Sequence, residues 1–303
     1  MKSSRPPLNH LRSISALHQT LQVPKPTHPL ISVVDLRAIQ ARTQQTISYS
    51  FYTIAFKKLT GGQLRYGQQH YDFDEGVLIF TAPHQTVRLE SEVPVMLEGC
   101  LVVVHPDFLQ GYPLARKITE YGFFGYAVNE ALHLSAAEQQ QVLDMMQRLA
   151  QEVAAPITAF TQDLLVAHLD LLLTYCNQFY HRQFLTRRAA SHDVVSRFEQ
   201  LLAEYVAGDQ LPSRGLPSMQ ELAGQLNLSA NYLSDLLRTH TGLTARQHVQ
   251  QKLLDYAKQL LTTTTLSVGE VAYRLGFEHS QSFSKFFKQH AAVSPLQYRL
   301  SVH

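Results

Sequence analysis

Ser218-Met-Gln-Glu-Leu-Ala223 and Ser267-Val-Gly-Glu-Val-Ala272 are two versions of one local pattern. Each opens on a serine able to cap a helix and sets a small residue where a second helix can cross closely. The first continues through Leu226 to Asn227, after which Leu228, Leu233, Leu236 and Leu237 resume an apolar face. The second continues through Leu275 to Gly276, then Phe277, Phe283, Phe286 and Phe287. Asn and Gly both tolerate the left-handed backbone that a sharp interhelical turn needs. The pattern predicts a helix-turn-helix at about residues 218–240 and another at about 267–290. One copy would suit any helical hairpin; the repeat argues against that.

Between the copies, Val249, Leu253, Leu254, Ala257, Leu260 and Leu261 recur at helical spacing with no Gly or Pro, so Thr244 to Leu261 predicts one continuous helix. Its length, roughly 27 Å, is comparable with the roughly 34 Å between successive major-groove turns of DNA. Such a spacer could present both second helices to one face of a duplex.

The run Ser229-Ala-Asn-Tyr-Leu-Ser-Asp-Leu-Leu, the segment Ala257-Lys-Gln-Leu-Leu, Val268-Gly-Glu-Val-Ala-Tyr-Arg-Leu-Gly-Phe-Glu, Phe283-Ser-Lys-Phe-Phe-Lys and Ser294-Pro-Leu-Gln-Tyr-Arg resemble the AraC/XylS family of bacterial transcription regulators. The match covers about the last hundred residues. Against that family's pattern, Leu237 replaces a common Phe, Asp235 a common basic residue, Ser282 a usual Tyr and Ala292 a usual Gly. Asp235 sets a carboxylate near the expected path of phosphates. The resemblance implies that the exposed start of each second helix enters the major groove. The residues expected to meet DNA are then Ser229, Asn231, Ser234 and Arg238 in the first copy, and His279, Ser280, Gln281, Lys285 and Lys288 in the second. Asn and Gln can each bind adenine bidentately, whereas Lys and Arg favour guanine or phosphate.

Composition sets weaker bounds. The chain has 303 residues, 45% hydrophobic and 17% charged, enough for two ordinary globular domains. Net charge is +2, and from Thr186 onward there are 12 Lys and Arg against 9 Asp and Glu, so motif rather than charge carries the DNA reading. Cys100 and Cys176 have neither metal-ligand spacing nor a disulfide framework and read as buried thiols. The fifteen histidines are scattered singly. No nucleophile elbow, phosphate-binding Gly loop or zinc-ligand helix occurs, so no enzyme activity, metal or cofactor is expected. Residues Met1 to Pro7 do not read as a signal peptide, no run reaches the ~18 apolar residues of a membrane helix, and the expected location is cytoplasmic.

The expected fold is α+β overall, an antiparallel β-barrel with a helical hairpin followed by an all-α tandem helix-turn-helix domain. Residues 1–30 read as an arm with a short helix marked by Leu8, Leu11, Ile14, Leu17 and Leu21. Residues 31–134 read as a barrel, with β-type runs Ser48 to Phe56, Leu64 to Tyr66, Gly76 to Thr81, Thr86 to Leu89 and Cys100 to Val104. Tyr71 to Gln85 resembles the cupin-type sensor of AraC-like proteins, but His70 and His84 lack a metal cupin's closely paired His spacing. An effector pocket is expected among Tyr52, Phe56, Tyr66, Phe73 and Phe80. The aromatic stretch from Tyr112 to Tyr126 reads as core. Residues 135–188 read as a hairpin and linker, opened by the capping box Ser135-Ala-Ala-Glu138. Its second helix offers Leu165, Leu169, Leu172 and Phe179 as a dimer face, and residues 189–303 form the DNA-binding domain.

The expected function is sequence-specific transcription regulation. The expected partners are a double-stranded operator, a small-molecule effector on the barrel, a second copy of the chain, and RNA polymerase if the protein is an activator; no membrane is involved. Two other readings are a cupin-type enzyme fused to a DNA-binding module, and a barrel that binds no small molecule.

Overall fold

The computed structural model describes residues 8–39, 44–61, 64–66, 69–71, 76–90, 96–186, 188–208 and 210–302. Phe73 lies outside the described residues. The chain divides into two compact units, Met1–Gln183 and Phe184–His303.

The first unit contains β1 (Leu8–Leu11), α1 (Ile14–Leu21), β2 (Ile31–Asp35), β3 (Gln44–Tyr49), β4 (Tyr52–Gly61), β5 (Leu64–Tyr66), β6 (Gln69–Tyr71), β7 (Val77–Thr81), β8 (Thr86–Glu90), β9 (Met96–Val104), α2 (Leu114–Glu120), β10 (Leu132–His133) and α3 (Ala136–Ala154). It also holds all but the last turn of α4 (Thr161–Thr186). Among the described residues the strands form two five-stranded sheets, ordered β1-β3-β8-β5-β6 and β10-β7-β4-β9-β2, that share no strand. The expected antiparallel β unit is thus built as a pair of sheets.

The run Ser48 to Phe56, expected as one strand, breaks between Tyr49 and Tyr52 and contributes to both sheets. Phe51 sits at the break and is fully buried, so the apolar alternation crosses the corner without a gap. The arm also differs from expectation. Leu8–Leu11 pairs in parallel with β3, and the helix begins only after Ser13, whose hydroxyl accepts from Ala16 N at 3.2 Å. Helical spacing of leucines could not exclude the strand because a neighbouring sheet edge satisfies its backbone.

One face of the second sheet contributes Val103 to a core with Leu11, Ile14, Leu17, Ile47 and Phe51. Register places Tyr52, Ile54 and Phe56 on the opposite face, beside Val104, Val102 and Cys100 of β9. That outer face is covered by helices, which is why β7 is buried along its whole length instead of alternating. Phe80 meets Phe123 with ring centroids 4.4 Å apart, and Phe123 stacks on Tyr180 of α4 at 5.5 Å.

Helix α4 corrects the expected dimer face. Leu165, Leu169, Leu172 and Phe179 are at most 5% exposed within a single chain. Helix α4 is held along its length by the preceding segments. Tyr180 Oη donates to Glu130 O at 3.2 Å, Gln183 Oε1 accepts from His133 N at 2.8 Å, and Lys117 Nζ reaches Asp170 at 2.6 Å. Arg182 forks onto Glu138, the carboxylate that also closes the cap of α3. The strongest apolar stripe therefore packs inside the subunit, and a weaker one remains outside.

The second unit carries α5 (Arg188–Ala207), α6 (Leu211–Arg214), α7 (Met219–Gln225), α8 (Ala230–Thr241), α9 (Ala245–Thr263), α10 (Val268–Arg274), α11 (Ser280–Ala291) and α12 (Pro295–Val302). Helix α5 packs against α9 through the edge of Phe198 on His248 at 5.6 Å. Among the described residues, no helix is long and apolar enough to cross a membrane.

Candidate nucleic-acid interface

Two capping boxes start the interface. Ser218 accepts from Glu221 N at 3.2 Å while Glu221 Oε2 accepts from Ser218 N at 2.8 Å; the same pair of bonds joins Ser267 and Glu270 at 3.2 and 2.7 Å. Each box satisfies free amides and sets a carboxylate at the positive end of a helix dipole. The amide of Ser218 first, then its hydroxyl, holds the Glu221 carboxyl below the usual range. For Glu270 the hydroxyl of Ser267 is the larger cause, followed by its amide.

The two turns are built alike. Leu228 N donates to Ala223 O at 2.9 Å and Phe277 N to Ala272 O at 3.0 Å, closing α7 and α10 on the small residues singled out in the sequence. Asn227 (φ 58°) and Gly276 (φ 81°) supply the left-handed residue. Gly276 has a second reason to lack a side chain: a Cβ there would lie 2.7 Å from the carbonyl oxygen of Leu211. Helix α6 thus crosses directly over the second turn.

Helices α8 and α11 are both 12 residues long and bury Leu233, Leu236 and Leu237, or Phe283 and Phe287. Opposite those residues, Asn231, Asp235 and Arg238 step along α8, and Gln281, Lys285 and Lys288 take the same steps along α11. Gln281, Lys285, Lys288, Asn231 and Arg238 are exposed, whereas Asp235 is half-buried. Ser282 and Gln289 also lie on the exposed face of α11. They were absent from the sequence-based set, although their position opposite Phe283 and Phe287 made them readable.

Two expected contacts have other work, and a third stands apart. Ser229 caps α8 by accepting from Tyr232 N at 3.2 Å, so it sets the helix start. Ser234 donates its hydroxyl proton to Ala230 O at 2.8 Å and is half-buried, which removes its donor from base reading. Arg238 stands in the last turn of α8, distant from the end expected to enter a groove. In α11, His279 is the N-cap residue and makes no side-chain cap bond, while Ser280 is exposed beside it. Free first-turn amides are suited to a phosphate.

Helix α9 connects the copies over 19 residues, about 28 Å, and Thr244 caps it through Gln247. Arg299, within the C-terminal resemblance, donates Nε to Leu261 O at 3.0 Å and Nη2 to Leu266 O at 2.6 Å. Its guanidinium fastens α12 to the end of α9, satisfying one carbonyl that the helix leaves open and one in the loop that follows.

Of the expected effector residues, Tyr52, Phe56 and Phe80 share the helix-covered face of the second sheet. Tyr52 and Phe80 pack on Phe124, with centroids 5.0 and 5.5 Å away, and Tyr66 lies in β5 of the other sheet. Alternation along the strands put these aromatics on the helix-covered face. Phe56 is among the residues that line a cleft of about 690 Å³ between that face and α3. Among the described residues, no three His, Cys, Asp or Glu side chains are grouped to hold a metal ion.

Residues 222–301 match a helix-turn-helix domain family. Over 85 residues the chain is 36% identical to the raffinose operon transcriptional regulatory protein RafR of Pediococcus pentosaceus, covering 28% of this chain and 31% of that protein. Over 259 residues it is 26% identical to the HTH-type transcriptional activator RhaS of Salmonella schwarzengrund, covering 83% of this chain and 86% of that one. The chain therefore spans about a third of the raffinose regulator and most of RhaS. Among solved structures, the C-terminal domain of AraT, a response regulator from Geobacillus stearothermophilus, aligns at 28% identity and a TM-score of 0.32, covering 36% of this chain and 84% of that one.

Proposed function

From the AraC-type helix-turn-helix domain that this chain carries, we infer that the protein, a DNA-binding transcription regulator, reads one operator with α8 and α11 together. The observation that carries this reading is the repetition itself: two capped, identically turned helix pairs, each with a polar face opposite its buried one. Catalysis has no part in the reading, and DNA as partner puts the protein in the cytoplasm. RNA polymerase is a further partner if the outcome is activation.

The N-terminal unit acts as sensor and dimerisation unit. Support for dimerisation comes from the outer side of α4 and the residue just before it, where Phe160, Leu164, Ala167 and Leu171 follow each other in steps of four, three and four. Phe160, Leu164 and Leu171 are 69, 46 and 48% exposed. This is the spacing of a two-helix seam, and a second copy of α4 would cover it.

Selection of binding sites from randomised duplexes by the full chain tests the reading. The expected result is a site with two conserved blocks about 10 base pairs apart, protected on one face. A selected site with a single block would remove the joint role of α8 and α11, and failure to enrich any sequence would remove the function.

A further inference from the structure

Helix α6 is four residues long, yet it reaches both helix-turn-helix copies. Its first residue, Leu211, is 1% exposed and lies on the second turn: a Cβ placed on Gly276 would stand 2.7 Å from Leu211 O and 3.6 Å from Leu211 Cβ. Its last residue, Arg214, donates Nη2 to Glu221 Oε1 at 3.3 Å, while Glu221 Oε2 stays on the cap of α7. Two further bonds keep this short segment in shape. Gly215 N donates to Leu211 O at 2.9 Å and closes its turn, and Tyr205 of α5 donates its hydroxyl proton to Gly215 O at 3.0 Å and holds its exit.

The two turns differ in what lies over them. Asn227 holds the left-handed place in the first turn with a side chain, and that residue is exposed. The second turn needs glycine because the backbone of α6 occupies the room a Cβ would take. Helices α8, α10 and α11 all pack on α9, which makes α9 one link between the copies. A pair of helices supported along one neighbour can roll about it. Helix α6 adds a second support from a different segment, running from the cap of α7 to the turn ahead of α11. The lever is short, since α11 begins at Ser280, four residues after Gly276, so a displaced turn carries the groove-entering end of α11 with it.

We propose that α6 is a brace between the two copies, with Leu211, Gly276 and Arg214 as positioning residues that fix the spacing of the operator blocks the protein accepts. The proposal rests on the reading of one operator by α8 and α11 together. The contact at Gly276 carries most of the effect. Arg214 and Glu221 form an exposed pair, which contributes little by itself. At Gly276, an added methyl group must open a contact from 2.7 Å to at least 3.4 Å, and the atom that has to yield is a backbone carbonyl oxygen.

The test compares the affinity of the full chain for the selected operator with its affinity for the same duplex carrying one extra base pair between the blocks. The insertion moves one block by about 3.4 Å and turns it by roughly 35°. The unaltered chain should bind the lengthened duplex about tenfold more weakly or worse, the effect of losing the contacts of one base pair. In Gly276→Ala, measured well below its unfolding transition, that ratio should fall to about twofold, since the block is no longer held at one setting. Asn227→Ala, which strains the first turn in the same left-handed region, should keep the ratio of the unaltered chain. A loss of folded protein lowers both affinities together and leaves their ratio unchanged, so the ratio separates positioning from stability. If Gly276→Ala fails to fold, Tyr205→Phe with Arg214→Gln frees α6 from α5 and α7 by removing polar groups only, and the same fall is expected. A folded brace variant with an unchanged ratio, an equal fall in Asn227→Ala, or an unaltered chain that binds both duplexes alike would overturn the brace and leave the two-block reading in place. A selected operator with a single block overturns that reading, and the brace with it.

Discussion

Two residues show how little atomic volume the second helix-turn-helix can spare. Gly276 combines a left-handed backbone with the close approach of Leu211 O, so Gly276→Ala adds strain and a contact that the backbone of α6 must move to relieve. A left-handed non-glycine residue alone costs on the order of 1–3 kcal/mol, and the loss here should reach the upper part of that range. Ala292 is the converse case. It holds φ 62° at the end of α11, where the first copy has Gly242 at 73°. Ala292→Gly should therefore stabilise by roughly 1 kcal/mol, because an alanine forced to positive φ gives up more than glycine's entropy costs. The urea midpoint of the helical transition, followed at constant slope, tests both substitutions. The difference at position 292 was visible in the sequence as an Ala where Gly is usual. The crowding at Gly276 was not, because Leu211 is distant in the chain and only the fold brings its carbonyl there.

At the scale of elements, α8 and α11 share a frame and differ in charge. Gln281→Ala should cost roughly 1–3 kcal/mol on the selected operator, the range of a bidentate base contact, with little change on random DNA. Lys288→Ala should weaken both and flatten the salt slope by about one unit if it meets phosphate. Asp235→Ala should tighten binding by removing a carboxylate from the backbone's vicinity; if it abolishes binding, Asp235 is accepting from a base. Affinities across a salt series decide these outcomes. The caps of α7 and α10 predict a pH dependence of stability. Glu221 and Glu270 have lowered carboxyl values, so their stabilisation is fully present above the unfolded value near ~4.3 and is lost as pH falls through the lower folded value. Ser267→Ala removes the first cause for Glu270, and its stability deficit at neutral pH should shrink on acidification below that window. A deficit constant from pH 7 to pH 3 would show that the box is not the source. These boxes were legible because serine and glutamate three residues apart act locally.

For the whole molecule, the outer stripe of α4 sets the expected assembly. Leu164→Glu with Leu171→Glu should convert dimers to monomers in sedimentation while leaving the helical content intact, since both side chains are about half exposed before any partner is added. The stripe first expected cannot be tested this way: a charge at Leu165 or Leu172 would be buried inside the subunit and would unfold it. What the amino-acid sequence determined by itself was whatever depends on neighbours within a few residues: the capped starts at Ser135, Ser218 and Ser267, the turns at Asn227 and Gly276, the continuous α9, and the polar faces of α8 and α11. Tertiary structure alone decided which of two apolar sides of α4 is inner. It also decided that Leu8–Leu11 joins a sheet, that Tyr52 and Phe80 pack against Phe124, and that Phe56 lines a cleft against α3. Periodicity reports that a face is apolar. Which surface covers that face depends on packing against segments 50 or more residues away, such as His133 on Gln183, and short-range spacing contains no term for it.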